Sequence, residues 1–320
     1  MLSLNKNRIA YLASLTLLFS YAEMLLPKFF PFFKIGIGNI VILLALTLDF
    51  PSFLLLTIIK ALSSSIMGGT LISPFFLISL SQSVISGLIM YFFFKIRSKW
   101  LSIYGISIIG SSVSSLVQII LSTLYLGHET LRFLGPMLIF ALFSGIITAI
   151  LSKFLKIPKE APSISFVKEE SNKVKVIILS TIILSSTIII FMIKNIWILL
   201  AALIISFTCQ ILSKRRILIL AHLSIFVFVI FISLLTPSGE ILFSISSFNI
   251  TLGSLLEGVK KALRLSTASA LSQCAASLRP SNKNIVGLTL TYYRGLSDKF
   301  INTKGKVFKR IEETLSAQNL

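Results

Sequence analysis

IPKEAPSISFVKEESNK, residues 157–173, holds two prolines, six charged side chains and no apolar periodicity. That is the composition of a linker. What lies on either side of it decides the fold. Before it, apolar runs can be drawn at about residues 8–27, 36–49, 51–67, 73–94, 101–125 and 133–154. After it they resume at about 174–193, 196–213 and 217–236, with a weaker run at 250–278 whose first half carries Glu257, Lys260, Lys261 and Arg264. Crossing roughly 30 Å of hydrocarbon takes about 20 apolar residues as a helix. The second and third runs are short, and Asp49-Phe50-Pro51 separates them, a helix stop that proline enforces by removing a donor.

The 320 residues are 55% hydrophobic and 13% charged, with a mean hydropathy of +0.94. A water-soluble core of ordinary size cannot hide that much apolar surface. The first run carries Glu23 and ends in Pro27 and Lys28 instead of a small-residue cleavage site, so it is expected to remain as a membrane helix. The expected fold is all-α, a polytopic integral membrane protein of about ten transmembrane helices. Residues 1–156 form a six-helix unit, 157–173 a cytoplasmic linker, 174–278 a four-helix unit and 279–320 a basic, helical cytoplasmic tail.

Lysine and arginine resist translocation and set orientation. With the N-terminus inside and ten crossings, one face receives Lys6 and Arg8, then Lys95, Arg97 and Lys99, then the lysines between 153 and 175. The triplet Lys214-Arg215-Arg216 and the basic residues from Arg279 to Arg310 join them. The opposite loops hold only Lys28, Lys34, Arg132 and Lys194. Both termini are therefore expected in the cytosol. The net charge of +19 is then a matter of anionic headgroups. No nucleic-acid-binding signature accompanies it.

The eleven acidic residues are too scattered to hold a diphosphate through magnesium, since a hard cation wants several oxygen ligands together. His128 and His222 are the only histidines, and no HExxH, Walker or dinucleotide-binding spacing is present. Cys209 and Cys274 lie in apolar segments without metal-spaced partners and read as packing residues. No cofactor, metal or catalytic residue is expected.

A few polar groups inside apolar spans remain, and such groups mark function by default because charge in lipid is costly. Lys60, past the middle of the third run, needs an anion. Either Glu23 supplies it, or Lys60 and Lys34 meet an anionic group on a ligand. Gln82 and Gln118 are amides needing partners, whereas Ser63-Ser64-Ser65 and Ser111-Ser112 read better as small residues at helix contacts. In FFKIGIGNIVILLAL, residues 32–46, Gly36 and Gly38 form a candidate gating hinge beside Lys34 and Asn39. A loop that merely needs glycine to turn is the alternative. His128 reads as a loop residue.

Glu23 and Pro27 in YAEMLLP, Lys34, Gly36 and Asn39 in KIGIGN, Lys60, the serines of LISLSQSVISG, Gly110, Gln118 and Pro136 together resemble the Gx transporter family, also labelled heptaprenyl diphosphate synthase component I. The resemblance covers about residues 8–155, departing at Ser114-Ser115, where the family commonly shows His-Asn. Its members look like substrate-binding S components of energy-coupling factor importers. The resemblance thus implies a six-helix unit that captures a vitamin-like solute with Glu23, Lys34, Asn39, Lys60, Gln82 and Gln118. LLTPSGEILF, NITLGSLLEGVKKALRLS and the basic tail resemble the T component of the same importers. That implies cytoplasmic ATPase subunits as partners through residues 279–320, and docking of a partner helix on Ala10, Ala13 and Ser14.

The first expected function is uptake of a small solute across a bacterial cytoplasmic membrane. The alternative is an accessory membrane component of polyprenyl diphosphate synthesis, and a third is a scaffold for a cytoplasmic partner.

Overall fold

The structure is a computed structural model that describes residues 2–24, 36–96, 101–155, 158, 161–163, 173–212, 217, 219–245, 248–275, 284–305 and 307–315. It is mainly helical. The first unit comprises α1 (Leu2–Met24), α2 (Asn39–Leu44, continued by a 3-10 turn at Ala45–Thr47), α3 (Phe50–Gly68), α4 (Pro74–Ile96), α5 (Ile103–Leu126) and α6 (Leu134–Phe154). The second comprises α7 (Lys173–Met192), α8 (Ile196–Leu212), α9 (Ile219–Leu234) and α10 (Leu252–Ala275), followed by α11 (Ile285–Asn302) and α12 (Val307–Leu315). Among the described residues a β-hairpin departs from an all-α chain. Strands β1 (Ile241–Ile245) and β2 (Phe248–Thr251) form an antiparallel hairpin, bulged between Ile241 and Phe243.

Four helical segments are long and apolar enough to cross a bilayer: Phe50–Gly68, Pro74–Ile96, Ile103–Leu126 and His128–Phe154. They mark a membrane protein. Four of the ten expected crossings are thus seen among the described residues; α8 and α9 are apolar but shorter, at 17 and 16 residues, about 25 Å at 1.5 Å per residue. The run at 36–49 is corrected. Its helix α2 has six residues, about 9 Å of rise, and Ile40, Val41, Ile42 and Leu43 are buried in protein. They are apolar because they fill a core.

That core is built around α1. Ile9 to Phe19 are buried without a break, with Tyr11, Leu15, Leu18 and Phe19 almost wholly inaccessible. One side is covered by α2 and α3, the other by α11. Residues expected to form a detached tail therefore close the main core: Leu296 and Phe300 have no exposed surface, and the ring of Tyr292 meets that of Tyr11 edge-on at 5.7 Å. Tyr292 also donates to Pro162 O at 3.3 Å.

Sequence explains the helix ends. Asp49 caps α3 by accepting from Ser52 N at 3.2 Å, and Pro51 sits in the first turn where no donor is needed. Gly69 ends α3 with φ +64, a conformation glycine adopts without steric cost. Helices α5 and α6 pack through Gly145, where an added Cβ would lie 2.7 Å from the Ile108 Cα. The helices approach that closely only because the residue is glycine.

Helix α10 joins the two units. Lys261 donates to Leu126 O at the end of α5 at 3.2 Å, while Ser272 Oγ accepts from Ile72 N, in the α3–α4 turn, at 2.9 Å. These contacts are eleven residues apart on α10, about 16 Å of helix, yet both fall on the same end of the first unit. So α10 lies across that end. It does not run alongside the four spans as the tenth crossing was expected to do.

Candidate functional site

Lysine inside an apolar helix must find a partner or leave the membrane interior. On α3, Lys60 is half-buried and donates from Nζ to Asn39 Oδ1 at 2.5 Å. Asn39 opens α2, where its backbone N–H donates to Gly36 O at 2.8 Å. Gly36 has φ +79, and a Cβ there would lie 3.1 Å from Ser144 Oγ on α6 and 3.3 Å from Asn39 Nδ2. Lys60, Asn39, Gly36 and Ser144 thus gather where α2, α3 and α6 meet. One turn along α3, Ser63 is fully buried and its hydroxyl has no hydrogen-bond partner.

The two expected hinge glycines do different things. Gly36 occupies the left-handed region that favours glycine. Gly38 is right-handed helical, with φ −60, and serves close packing, since a Cβ would stand 2.4 Å from Ser20 Oγ and 3.0 Å from Thr16 O on α1. Lys34 lies outside the described residues, and so does the side chain of Glu23. The Glu23–Lys60 ion pair weighed above falls there too.

Gln82 on α4 and Gln118 on α5 come together: Gln82 Nε2 donates to Gln118 Oε1 at 2.8 Å and to Ser114 O at 3.3 Å. This pair satisfies two amides between adjacent helices, which is the role a buried amide most needs. Ser111 donates to Ala141 O at 2.7 Å and Ser107 to Gly145 O at 2.8 Å, so these serines tie α5 to α6. His128, expected in a loop, is exposed and opens a 3-10 helix at His128–Phe133 that leads into α6.

The second unit holds polar groups that pattern reading missed. Gln210 on α8 donates to Ala270 O at 2.8 Å and to Gln273 Oε1 at 3.1 Å. His222 Nδ1 lies 2.6 Å from Ser266 Oγ, while His222 Nε2 is buried without a partner. Cys209 and Cys274 pack with Ile183 and Leu271. Among the described residues no group of three or more His, Cys, Asp or Glu side chains is placed to hold a metal ion. Lys194, Glu257, Lys260, Lys261 and Arg264 line a cavity of about 230 Å³.

Residues 12–155 match the family described as heptaprenyl diphosphate synthase component I, the second label of the family that the N-terminal residues resemble. Residues 176–275 match a domain of unknown function (DUF8519). The T-component resemblance gains no support from that match, and the importer reading gains none from either. No curated protein and no solved structure matches the chain.

Proposed function

We propose, from the membership of residues 12–155 in the heptaprenyl diphosphate synthase component I family, that this chain is an accessory membrane component of polyprenyl diphosphate synthesis. The single observation that carries the reading is that match, which runs from within α1 to the end of α6 and so takes in most of the first unit. It displaces solute import as the first function.

Chemistry supports an accessory role over a catalytic one. Prenyl elongation ionises an allylic diphosphate, and magnesium held by clustered carboxylates supplies the charge that lets the leaving group go. With eleven scattered acidic residues, this chain would leave that task to a partner protein. Its own contribution is a bilayer-embedded body beside which a lengthening apolar product can be held, in the bacterial cytoplasmic membrane with both termini in the cytosol. Cytoplasmic ATPase subunits have no role in this reading.

Recovery of the tagged chain from native membranes, followed by assay of the co-purified material with labelled isopentenyl diphosphate and an allylic diphosphate, tests it. Elongated products are expected from the co-purified material and none from the chain stripped of partners. Absence of elongation in material that retains a bound small solute would overturn the reading in favour of uptake. That second reading rests on one feature, the half-buried Lys60 beside the unpartnered hydroxyl of Ser63.

A further inference from the structure

The first half of α10 was the weakest candidate span because it carries Glu257, Lys260, Lys261 and Arg264. These side chains, with Lys194 from the loop after α7, surround the cavity of about 230 Å³. Two of the cations have fixed tasks. Arg264 donates from Nε and Nη2 to Ile193 O, at 3.1 and 2.6 Å, beside the end of α7. Lys261 donates to Leu126 O at the end of α5 and lies 3.6 Å from Glu257. Both neutralise the negative ends of helices.

Lys194 and Lys260 have no hydrogen bond or ion pair among the described residues. Four cations therefore share the cavity with one carboxylate, and the Glu257 side chain is 61% exposed. Like charges so placed repel one another. Under the orientation expected from the lysine and arginine distribution, this is also the outer end, where cations are otherwise sparse. The cavity is smaller than the roughly 300–1,000 Å³ typical of drug-sized ligands. It suits one compact anion, and ammonium and guanidinium groups are the usual partners of phosphate oxygens.

We propose that this cavity binds a phosphate- or diphosphate-bearing anion, held by Lys194 and Lys260 beside Lys261 and Arg264. The site stands on its own geometry and needs no role in prenyl synthesis. The anion has two sources, a soluble phosphate compound or a lipid headgroup.

The test uses the full chain in phosphatidylcholine nanodiscs, with its thermal midpoint followed against inorganic pyrophosphate, orthophosphate, and chloride at matched ionic strength. A second set of discs contains phosphatidylglycerol. A saturable upward shift of several degrees beyond chloride is expected. If pyrophosphate or orthophosphate produces it in phosphatidylcholine discs, the source is soluble; if only phosphatidylglycerol does, it is a headgroup. Lys194→Gln with Lys260→Gln should remove the shift while leaving the phosphate-free midpoint unchanged or raised, because a repulsion has gone. Lys194→Arg with Lys260→Arg should keep the shift. No saturable shift beyond chloride in either set, or a full shift in the double glutamine variant, would overturn the proposal.

Discussion

Lys60 and Asn39 form a half-buried pair in which an ammonium donates to an amide oxygen. Lys60→Met should cost about 1–2 kcal/mol, the loss of a partly buried hydrogen bond to a charged group. Adding Asn39→Leu should cost less than the two single losses combined, a coupling of about 0.5–3 kcal/mol that a double-mutant cycle in detergent unfolding would read. Strict additivity would dissolve the pair. Asp49 works at the same scale. Hydrogen bonds from Ser52 hold its carboxyl below the ordinary value, so its cap contributes fully above the unfolded pKa of about 3.9 and is lost as pH falls through the lower folded value. Asp49→Ala should therefore cost about 1 kcal/mol near neutrality and less in strong acid, as parallel melting curves would show. Of the candidate site, Lys60, Asn39, Gln82 and Gln118 were legible, because a polar residue in an apolar run is conspicuous. Their partners were not. Nothing in spacing along the chain brings Ser144 toward Gly36, since that meeting depends on how α2 and α6 pack.

Among elements, the four spans α3 to α6 were readable to within about two residues at each end, because proline, glycine and charge punctuate them and their length meets the bilayer's. Helices α7 to α9 also fall on the expected apolar runs, whereas α2 misled for a physical reason. Apolarity reports exclusion from water and does not distinguish lipid from protein, so buried α2 looked like a crossing. Conversely, the tail was expected to be helical, but the polar face of α11 gave no sign that its other face packs on α1. Phe300→Ala should destabilise by about 3–5 kcal/mol and make α11 cleavable by protease ahead of Ile285; unchanged protection would refute its docking on α1. Alkali should act there too. Burial, with Tyr21 adding, pushes the Tyr293 hydroxyl up to about 12, and burial raises that of Tyr292. The neutral phenols favour the fold, so stability is full below about pH 10 and drains as pH climbs toward the folded values. Phenolate absorbance rising together with cleavage would register this. Gly145→Ala must push α5 and α6 apart and should cost about 1–3 kcal/mol, measurable as a lowered melting midpoint.

Over the whole molecule, Ile139, Phe143, Ile188, Trp197, Ile205 and Leu220 are all more than half exposed, a display that lipid, and not water, can cover. Cysteine labelling beyond residue 284 from the cytosolic side, with none from outside, is expected if the lysine and arginine distribution sets orientation. The broad division into two units was visible from the 157–173 stretch. Their attachment was not, because it joins residues far apart in the chain, by a hydrogen bond from Lys261 to Leu126 and by ring contacts such as Tyr125 with Phe191 and Phe133 with Phe228.

That attachment makes α10 a crossbar along one rim of the first unit, while α11 clasps α1 from beyond it. Severing the polypeptide within 157–173 should leave both fragments travelling together through gel filtration, because α11, downstream of the cut, still seats on α1 upstream of it.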